Sequence, residues 1–224
     1  MRRAQLVSLL ATVRNDPLGF ARDIRLAHEA IERDAIQKAT EFAPLLALLR
    51  RRRPRAVVEI GTERGGSFYA WARVAAPEAR LVSVDWSESA VQELVAPETL
   101  HAYAADGHEV TVLRGDSHSA EVREAVERAL GDRRADFLFL DGDHTYEGVK
   151  ADFESYAPLV SRGGLVAFHD ITAHEAGSPC QVDRFWIELR SRYRTREYVD
   201  PEGDRGFGPW GGIGVLTYEP NVSR

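Results

Sequence analysis

The sequence predicts an α/β domain built on a doubly wound, mostly parallel sheet, with additional helices ahead of it and an antiparallel strand at its C-terminal end. Three observations lead to this prediction. Short apolar runs alternate with helical stretches from Ala56 onward, which is typical of a parallel sheet covered on both faces. Before that point, apolar residues recur at three- and four-residue spacing, as they do in amphipathic helices. Near the C-terminus, two apolar runs follow one another without a helix between them, which favours an antiparallel pair.

The composition fits one domain and disfavours several functional classes. With 224 residues and 44% hydrophobic content, the chain can bury a full-sized core. A formal net charge of −6 disfavours nucleic-acid binding, so the arginines at 50–53 are interpreted as a solvated connection. The single cysteine, Cys180, excludes an intramolecular disulfide and fits a reducing compartment. Because no signal peptide is recognised and no run approaches the ~18 apolar residues of a membrane span, we expect a soluble, cytoplasmic protein.

Residues 1–54 are expected to form a helical cap, and residues 55–224 the main domain. The apolar stripe of the cap, which is also a candidate homodimer surface, comprises Ile24, Ala27, Ala30, Ile31, Phe42, Leu45, Leu46 and Leu49. Strands are predicted at 56–60, 80–85, 110–114, 135–140, 164–168, 195–199 and 212–218. Helices are predicted at 67–75, 120–130, 146–159 and 182–193, and a loop joins the second strand to the third.

A glycine-rich turn follows the first strand at the edge of the sheet where open α/β sheets bind their ligands. Its sequence, from Gly61 to Ser67, is GTERGGS. Glycines allow a tight turn and leave room for a ligand against the main chain. The spacing is neither that of a dinucleotide-binding fingerprint nor that of a phosphate-binding loop. The turn therefore disfavours NAD and ATP as ligands.

Acidic residues end the next two strands. Asp85 can accept hydrogen bonds from both hydroxyls of a ribose, and Trp86 follows it. The third strand ends at Gly115, Asp116 and Ser117, where a short acid or hydroxyl can meet an adenine amino group. Each acid alone could also be a helix cap. Together they predict a nucleoside-binding edge.

Four motifs carry a family resemblance that spans about residues 37–218: VVEIGTERGGS at 57–67, FLDGDHTYEGV at 139–149, GGLVAFHD at 163–170 and GGIGV at 211–215. In these motifs the chain resembles class I S-adenosylmethionine-dependent methyltransferases, in particular bacterial small-molecule O-methyltransferases related to macrolide-sugar, rhamnosyl and cephalosporin-pathway enzymes. The resemblance implies a Rossmann-like sheet of seven strands. It also implies O-methylation of a small hydroxylated metabolite such as a sugar, polyketide or phenol.

The same resemblance implies roles for the strand-end residues. Asp85 and Trp86 would hold the ribose side of the cofactor, and Gly115, Asp116 and Ser117 the adenine. Its methionine part would be held by Glu59, Gly61, Thr62, Glu63, Gly65, Gly66 and Ser67, with Asp141 beside them.

The fourth and fifth strands end in a second group of polar residues. Asp141, Asp143 and His144 follow the fourth, and His169 and Asp170 the fifth. Residues past the ends of neighbouring strands can converge on one ion or substrate, because such strands lie ~4.8 Å apart. In related metal-dependent enzymes, acids at the positions of Asp141 and Asp170 bind a divalent cation. His169 replaces a further acid of several relatives and shifts the preference from magnesium toward manganese, iron or zinc.

His144 is the predicted general base, because neutral imidazole accepts protons near pH 7 and relatives carry a base at this position. Asp143 is an alternative ligand to Asp141. Of the other groups, His174, Phe207 and Trp210 are candidates for the site mouth, whereas His28, His101, His108 and His118 are expected on the surface. Three alternatives stay open at this point: metal-independent methyl transfer, a nicotinamide-dependent oxidoreductase and a non-catalytic cofactor-binding protein.

Overall fold

A computed structural model describes residues 16–86, 94–105, 107–200 and 210–220. Within these residues, seven strands form one sheet in the order β3-β2-β1-β4-β5-β7-β6. Their bounds are Ala56–Ile60 (β1), Arg80–Asp85 (β2), Glu109–Arg114 (β3), Ala135–Leu140 (β4), Val160–Phe168 (β5), Arg194–Tyr198 (β6) and Ile213–Thr217 (β7). Strands β1 to β5 pair in parallel, and β7 is antiparallel to both of its neighbours. The predicted fold class is confirmed.

The helices of the described segments pack on the two faces of this sheet. They are Pro17–Ile31 (α1), Ala39–Arg52 (α2), Gly66–Val74 (α3), Pro97–Tyr103 (α4), Ala120–Leu130 (α5), Tyr146–Tyr156 (α6) and Val182–Arg192 (α7). Successive residues of β1 point to opposite faces. Val57 packs in the core shared with α1 to α4, whereas Val58 packs in the core shared with α5 to α7. Among the described residues, no helix combines the length and apolar character needed to cross a membrane.

The structure corrects the predicted secondary structure in three places. The predicted loop before β3 contains α4, a short helix that buries only Leu100 and so lacks a clear apolar period. Helix α6 ends at Tyr156, and a 3₁₀ turn containing Pro158 follows it. Strand β5 begins at Val160 instead of residue 164, because Val160 pairs with Ala135 before the register shifts and Leu165 pairs with Phe137. An irregular strand of this kind has no simple alternation to read.

In the basic run at 50–53, Arg51 to Arg53 are exposed as expected, but the first three residues form the last turn of α2 and are not part of a connection. The Arg50 guanidinium forms ion pairs with Asp23 at 2.8 Å and with Asp16 at 2.8 Å. Asp23 is 1% exposed, so the ion pair of Arg50 and Asp23 connects α2 to α1 below the surface. Cationic side chains in a last helical turn also interact favourably with the helix dipole.

Candidate active site at the carboxyl ends of the strands

A cavity of about 750 Å³ lies at the carboxyl ends of β1 to β5, where open α/β sheets bind ligands. Both predicted groups of polar residues border it. From the nucleoside group these are Gly61, Thr62, Glu63, Gly66, Ser67, Asp85, Trp86, Gly115, Asp116 and Ser117. From the second group they are Asp141, Asp143, His144, His169 and Asp170. One cavity therefore brings together residues that are more than 100 positions apart in the chain.

The glycine-rich turn is shaped by close backbone contacts. Gly61 has φ +86°, and a Cβ there would overlap the backbone carbonyl of Asp141. A Cβ on Gly66 would likewise overlap the backbone amide of Ala35, ahead of α2. Gly65, with φ +84°, precedes the first residue of α3 and is absent from the cavity wall. The glycine at this position allows the left-handed backbone of the turn, and its predicted role in cofactor binding stays a prediction.

Glu59, the other predicted cofactor residue outside the cavity wall, lies beneath the turn. Its side chain is 0% exposed and accepts a hydrogen bond from Trp71 Nε1 at 2.7 Å. Burial raises the pKa of Glu59 from its ordinary 4.5 to about 7, although hydrogen bonds from Ser67, Trp71 and Thr62 act in the opposite direction. Glu59 therefore supports the turn from beneath, through α3.

We expect Glu59→Gln to change how stability depends on pH. Between pH 4.5 and 7 the folded protein binds the Glu59 proton more tightly than the unfolded chain does, so the free energy of unfolding falls as pH rises through this window. Glutamine resembles the protonated acid and removes this fall, which amounts to about 3 kcal/mol. Urea unfolding at pH 5 and pH 8 should give similar stabilities at pH 5 and a more stable variant at pH 8. Parallel pH profiles for the two proteins would contradict the assignment.

Asp85 and Asp116 face the cavity with part of their hydrogen-bonding capacity used by the backbone. Asp85 accepts hydrogen bonds from the amides of Glu63 and Trp86, which hold the carboxylate at the end of β2. Asp116 accepts a hydrogen bond from the His118 amide at 2.9 Å. A carboxylate oxygen can accept more than one hydrogen bond, so both acids can still receive a donor from a bound ligand.

His118 is expected on the surface from the sequence, but in the structure it lines the cavity beside Asp116. Its Nε2 lies 3.4 Å from Oδ1 of Asp152, which is 1% exposed on α6. Burial raises the pKa of Asp152 to about 6, although Ser117 and the charge of His118 act to lower it. The only sequence feature that indicates the pair of His118 and Asp152 is the position of Asp152 in α6, one turn after Gly148. The sequence pattern of α6 does not distinguish Asp152 from an acid at the surface.

At the other end of the cavity, two acids and two histidines are in mutual contact. Asp141 Oδ1 lies 3.2 Å from His169 Nδ1 and 3.3 Å from His144 Nε2. Asp170 Oδ2 lies 3.6 Å from the Nδ1 atoms of both histidines. His169 is 3% exposed, whereas His144 faces the cavity and is 41% exposed. His144 is therefore the more accessible of the two imidazoles.

The contacts in this cluster favour the charged forms. Although burial opposes ionisation of Asp141, the charge of His169 and the hydrogen bond to His144 lower its pKa to about 2. Hydrogen bonding to Asp141 raises the pKa of His144 above 6.5. Burial opposes protonation of His169, but the neighbouring Asp141 and Asp170 raise its pKa to about 9. At neutral pH the positive charge of His169 therefore lies beside the negative charge of Asp141.

Asp141, His169 and Asp170 offer ligand atoms that all lie within 4.8 Å of one another. The backbone of Asp170 has φ +59°, a conformation that is uncommon for residues other than glycine. The Gly211 amide donates to Asp170 Oδ1 at 2.9 Å and helps to hold it. Two carboxylates and an imidazole are a suitable donor set for manganese, iron or zinc, so the residues present fit the divalent cation that the sequence predicts.

The structure separates Asp141 from the alternative ligand Asp143. Asp143 is exposed, and its Oδ1 accepts a hydrogen bond from the Thr145 amide at 2.8 Å at the start of α6. His174 approaches Asp170, with Nε2 at 3.5 Å from Oδ1, but it is absent from the cavity wall. Trp210 borders the cavity, and its ring centroid lies 6.4 Å from that of His169. Phe207 lies outside the described residues.

Gln37 is a cavity residue that the sequence reasoning missed. Its Nε2 donates to Asp141 Oδ2 at 2.7 Å, so that Oδ1 of the same carboxylate faces the two histidines. The side chain is 3% exposed, and its Oε1 has no hydrogen-bond partner. Gln37 therefore fixes the orientation of the acid that is central to the cluster.

We expect Gln37→Leu to weaken divalent-cation binding by about 10–100-fold, the usual cost of losing a group that orients a metal ligand. Calorimetric titration with Mn²⁺ measures this affinity. Gln181→Leu is a matched control, because Gln181 lies at the start of α7 and is absent from the cavity wall. Equal Mn²⁺ affinities for wild type and Gln37→Leu would contradict the proposed role.

Comparisons with known proteins identify the family. A family model described as a methyltransferase domain matches residues 58–171. The uncharacterized protein y4gI of Sinorhizobium fredii is 33% identical over 144 residues. The alignment covers 61% of this chain and 15% of that much longer protein.

Two solved structures are similar in fold. The first is the O-methyltransferase TomG from Streptomyces achromogenes, which is involved in tomaymycin synthesis and was solved with S-adenosylmethionine. It has a TM-score of 0.61 at 21% identity, over 98% of this chain and 100% of that one. The second is the MycE methyltransferase of mycinamycin biosynthesis, solved with Mg, S-adenosylhomocysteine and mycinamycin VI. It has a TM-score of 0.52 at 18% identity, over 81% of this chain and 50% of that one.

The two solved structures thus share the overall fold of this chain. The nicotinamide-dependent alternative loses its support, since the matched family is a different one. The matched region runs from β1 to the segment after β5 and so includes every predicted cofactor and metal residue. The chain belongs to the methyltransferase-domain family and has the Rossmann-like fold of the class I, S-adenosylmethionine-dependent methyltransferases.

Proposed function

We propose that this protein is an O-methyltransferase that transfers the methyl group of S-adenosylmethionine to a hydroxyl of a small metabolite, with the help of a divalent cation. One observation carries the proposal. A single cavity has nucleoside-type acids at one end and the cluster of Asp141, His144, His169 and Asp170 at the other. A cofactor that extends between the two ends would present its methyl group next to this cluster.

The cofactor supplies an electrophilic methyl group on a sulfonium. The chain supports its binding with the turn from Gly61 to Ser67 for the methionine part and with Asp85 for the ribose. Asp116 and Ser117, on the same cavity wall, are proposed to bind the adenine. Trp86, 49% exposed at the cavity wall, offers an aromatic face for stacking.

Asp141, His169 and Asp170 are the residues that would hold the divalent cation. A divalent cation held there would lower the pKa of the acceptor hydroxyl and help to orient it. The presence of Mg in the MycE complex supports this part of the proposal. Histidine in the donor set favours manganese, iron or zinc over magnesium.

His144 is proposed to remove the proton of the acceptor hydroxyl. Its imidazole contacts Asp141 through Nε2 and Asp170 through Nδ1, so both acids orient the ring and stabilise its protonated form. In-line methyl transfer requires alignment of the acceptor oxygen with the methyl group. A base that is fixed on two sides and still faces the cavity meets this requirement.

Calorimetric titration tests the cofactor and the cation separately. Chelator-treated protein is titrated with S-adenosylmethionine, with and without Mg²⁺ or Mn²⁺, and each metal is also titrated alone. We expect saturable cofactor binding and a separate metal-binding heat. Cofactor binding without a metal heat would favour metal-independent methyl transfer, whereas the absence of cofactor binding in every condition would overturn the proposal.

The acceptor is then identified with methyl-labelled cofactor. Sugars, polyketides and phenols that carry vicinal oxygens are incubated with enzyme, cofactor and Mn²⁺, and labelled products are counted. The proposal predicts that acceptors with a free hydroxyl become labelled. It also predicts that the corresponding methyl ethers do not.

A further inference from the structure

The thiol of Cys180 lies next to the candidate active site, although it belongs to the segment between β5 and α7. The backbone explains its position, because the Gln181 amide donates to the carbonyl of His144 at 2.7 Å. This bond ties the end of the segment to the loop that carries His144. In addition, Ser178 Oγ accepts a hydrogen bond from the Cys180 amide at 3.2 Å, which stabilises the turn before α7.

Three side chains from different parts of the sequence therefore converge. Within the described residues, His144, Asp170 and Cys180 offer one nitrogen, one oxygen and one sulfur atom that all lie within 4.8 Å of one another. A tetrahedral zinc ion, with bonds of about 2.0–2.3 Å, requires ligand atoms roughly 3.3–3.8 Å apart. The separation of His144 Nδ1 from Asp170 Oδ2 is already 3.6 Å. The sulfur of Cys180 lies within 4.8 Å of both atoms, so completing the tetrahedral geometry requires a shift of about 1 Å.

The donor atoms decide which cations such a site prefers. Thiolate and imidazole are ligands of zinc and other late first-row cations, whereas magnesium prefers oxygen. The set formed by Asp141, His169 and Asp170 contains no sulfur. Asp170 belongs to both sets, so the two sets are adjacent. They differ in the hardness of their donor atoms.

We propose that His144, Asp170 and Cys180 form a second cation site, selective for zinc-class cations, and that its occupation inhibits the enzyme. The thiol proton is released to solvent when the sulfur binds the cation. The three protein ligands leave a fourth position for water. The inhibitory part rests on the proposed function, since it requires His144 to accept a proton during methyl transfer.

The inhibition follows from the two nitrogens of one ring. A cation bound at Nδ1 of His144 withdraws charge from the imidazole and lowers the basicity of Nε2. It also holds Asp170, so this acid can no longer serve the neighbouring set freely. Zinc-class cations should therefore oppose the reaction that a harder cation at Asp141, His169 and Asp170 supports.

Co²⁺ is the probe for the site itself, because cobalt bound to a thiolate gives a sulfur-to-metal charge-transfer absorption. Chelator-treated wild-type protein should show this absorption on titration with Co²⁺ and lose it on addition of Zn²⁺. Cys180→Ser and Cys180→Ala should lack it. Gln37→Leu is the matched control, since it alters the sulfur-free set through Asp141 Oδ2 and should keep the absorption. Its absence in the wild type, or its persistence in both Cys180 variants, would overturn the proposal.

A second measurement tests the inhibition. Methyl transfer is followed at fixed Mn²⁺ and increasing Zn²⁺, with each variant compared with its own rate before zinc is added. Cys180→Ser should require at least about tenfold more Zn²⁺ than the wild type for half-inhibition. Equal sensitivity would exclude the inhibitory role. The cobalt absorption needs no methyl transfer, so failure of the proposed function and failure of the second site are distinguishable.

Discussion

Replacing His144 by alanine should lower kcat for methyl transfer by about 10²–10⁴-fold, the usual contribution of a general base. The imidazole is half-exposed to the cavity and held by Asp141 and Asp170, and no other histidine in the described segments is similarly accessible between these two acids. Affinity for S-adenosylmethionine should change much less, because the nucleoside end of the cavity is left intact. Steady-state kinetics with an identified acceptor and calorimetry with the cofactor separate the two effects.

The pH profile gives a second readout for the same residue. Hydrogen bonding to Asp141 raises the pKa of His144 above 6.5, and the base must be neutral to accept a proton. Wild-type kcat should therefore increase as pH rises through this pKa, and the variant should lose this increase. His28→Ala, at an exposed position of α1, is the control. An unchanged kcat in the His144 variant would exclude it as the base.

Replacing Asp141 by asparagine should weaken divalent-cation binding by more than about 100-fold, because the lost group is itself a ligand and not only a group that orients one. The change also removes the negative charge nearest His169. That buried imidazole has a pKa of about 9 largely because of Asp141, and we expect it to become neutral near pH 7 in the variant. Calorimetry with Mn²⁺ measures the first effect, and NMR titration of the histidine ring protons measures the second.

Asp143→Asn is the matched control, because Asp143 lies two residues away and contacts the backbone of Thr145. This variant should bind Mn²⁺ like the wild type. If instead Asp143→Asn abolished binding while Asp141→Asn did not, the ligand assignment would have to be reversed.

Local sequence patterns predicted most of the residues on the cavity wall. The turn after β1, the acids after β2 and β3, and the polar groups after β4 and β5 all follow apolar strands directly. A strand's end fixes where the next residues lie. The parallel pairing of β1, β2 and β4 then brings these ends together.

Glu59 shows why position within a strand matters more than proximity to a motif. It shares a face with Val57, since side chains two residues apart point to the same side of a strand. That face packs against Trp71 of α3, so Glu59 could not also face the cavity. The alternation of side chains along β1 indicates which face of the sheet Glu59 occupies. The prediction of a ligand contact for Glu59 is based instead on the glycine-rich turn that follows the strand.

Gln37 and Cys180 could not be found in this way. Gln37 contacts Asp141 across more than 100 positions of sequence, from a connection that has no pattern of its own. Cys180 reaches His144 only because a backbone hydrogen bond joins two loops. Contacts of this kind depend on how the helices of the cap and the loops pack. No local periodicity in the sequence predicts them.

The strand order also has a consequence for how the protein folds. Val57 of β1 pairs with Phe137 of β4, and the intervening strands β2 and β3 lie on the other side of β1. Contacts between such distant segments close large loops and form slowly. The residues predicted for the cofactor lie mainly at the ends of β1 to β3, and those predicted for the cation at the ends of β4 and β5, so the complete cavity requires this pairing. Excess S-adenosylmethionine should therefore protect the folded chain against unfolding by mass action.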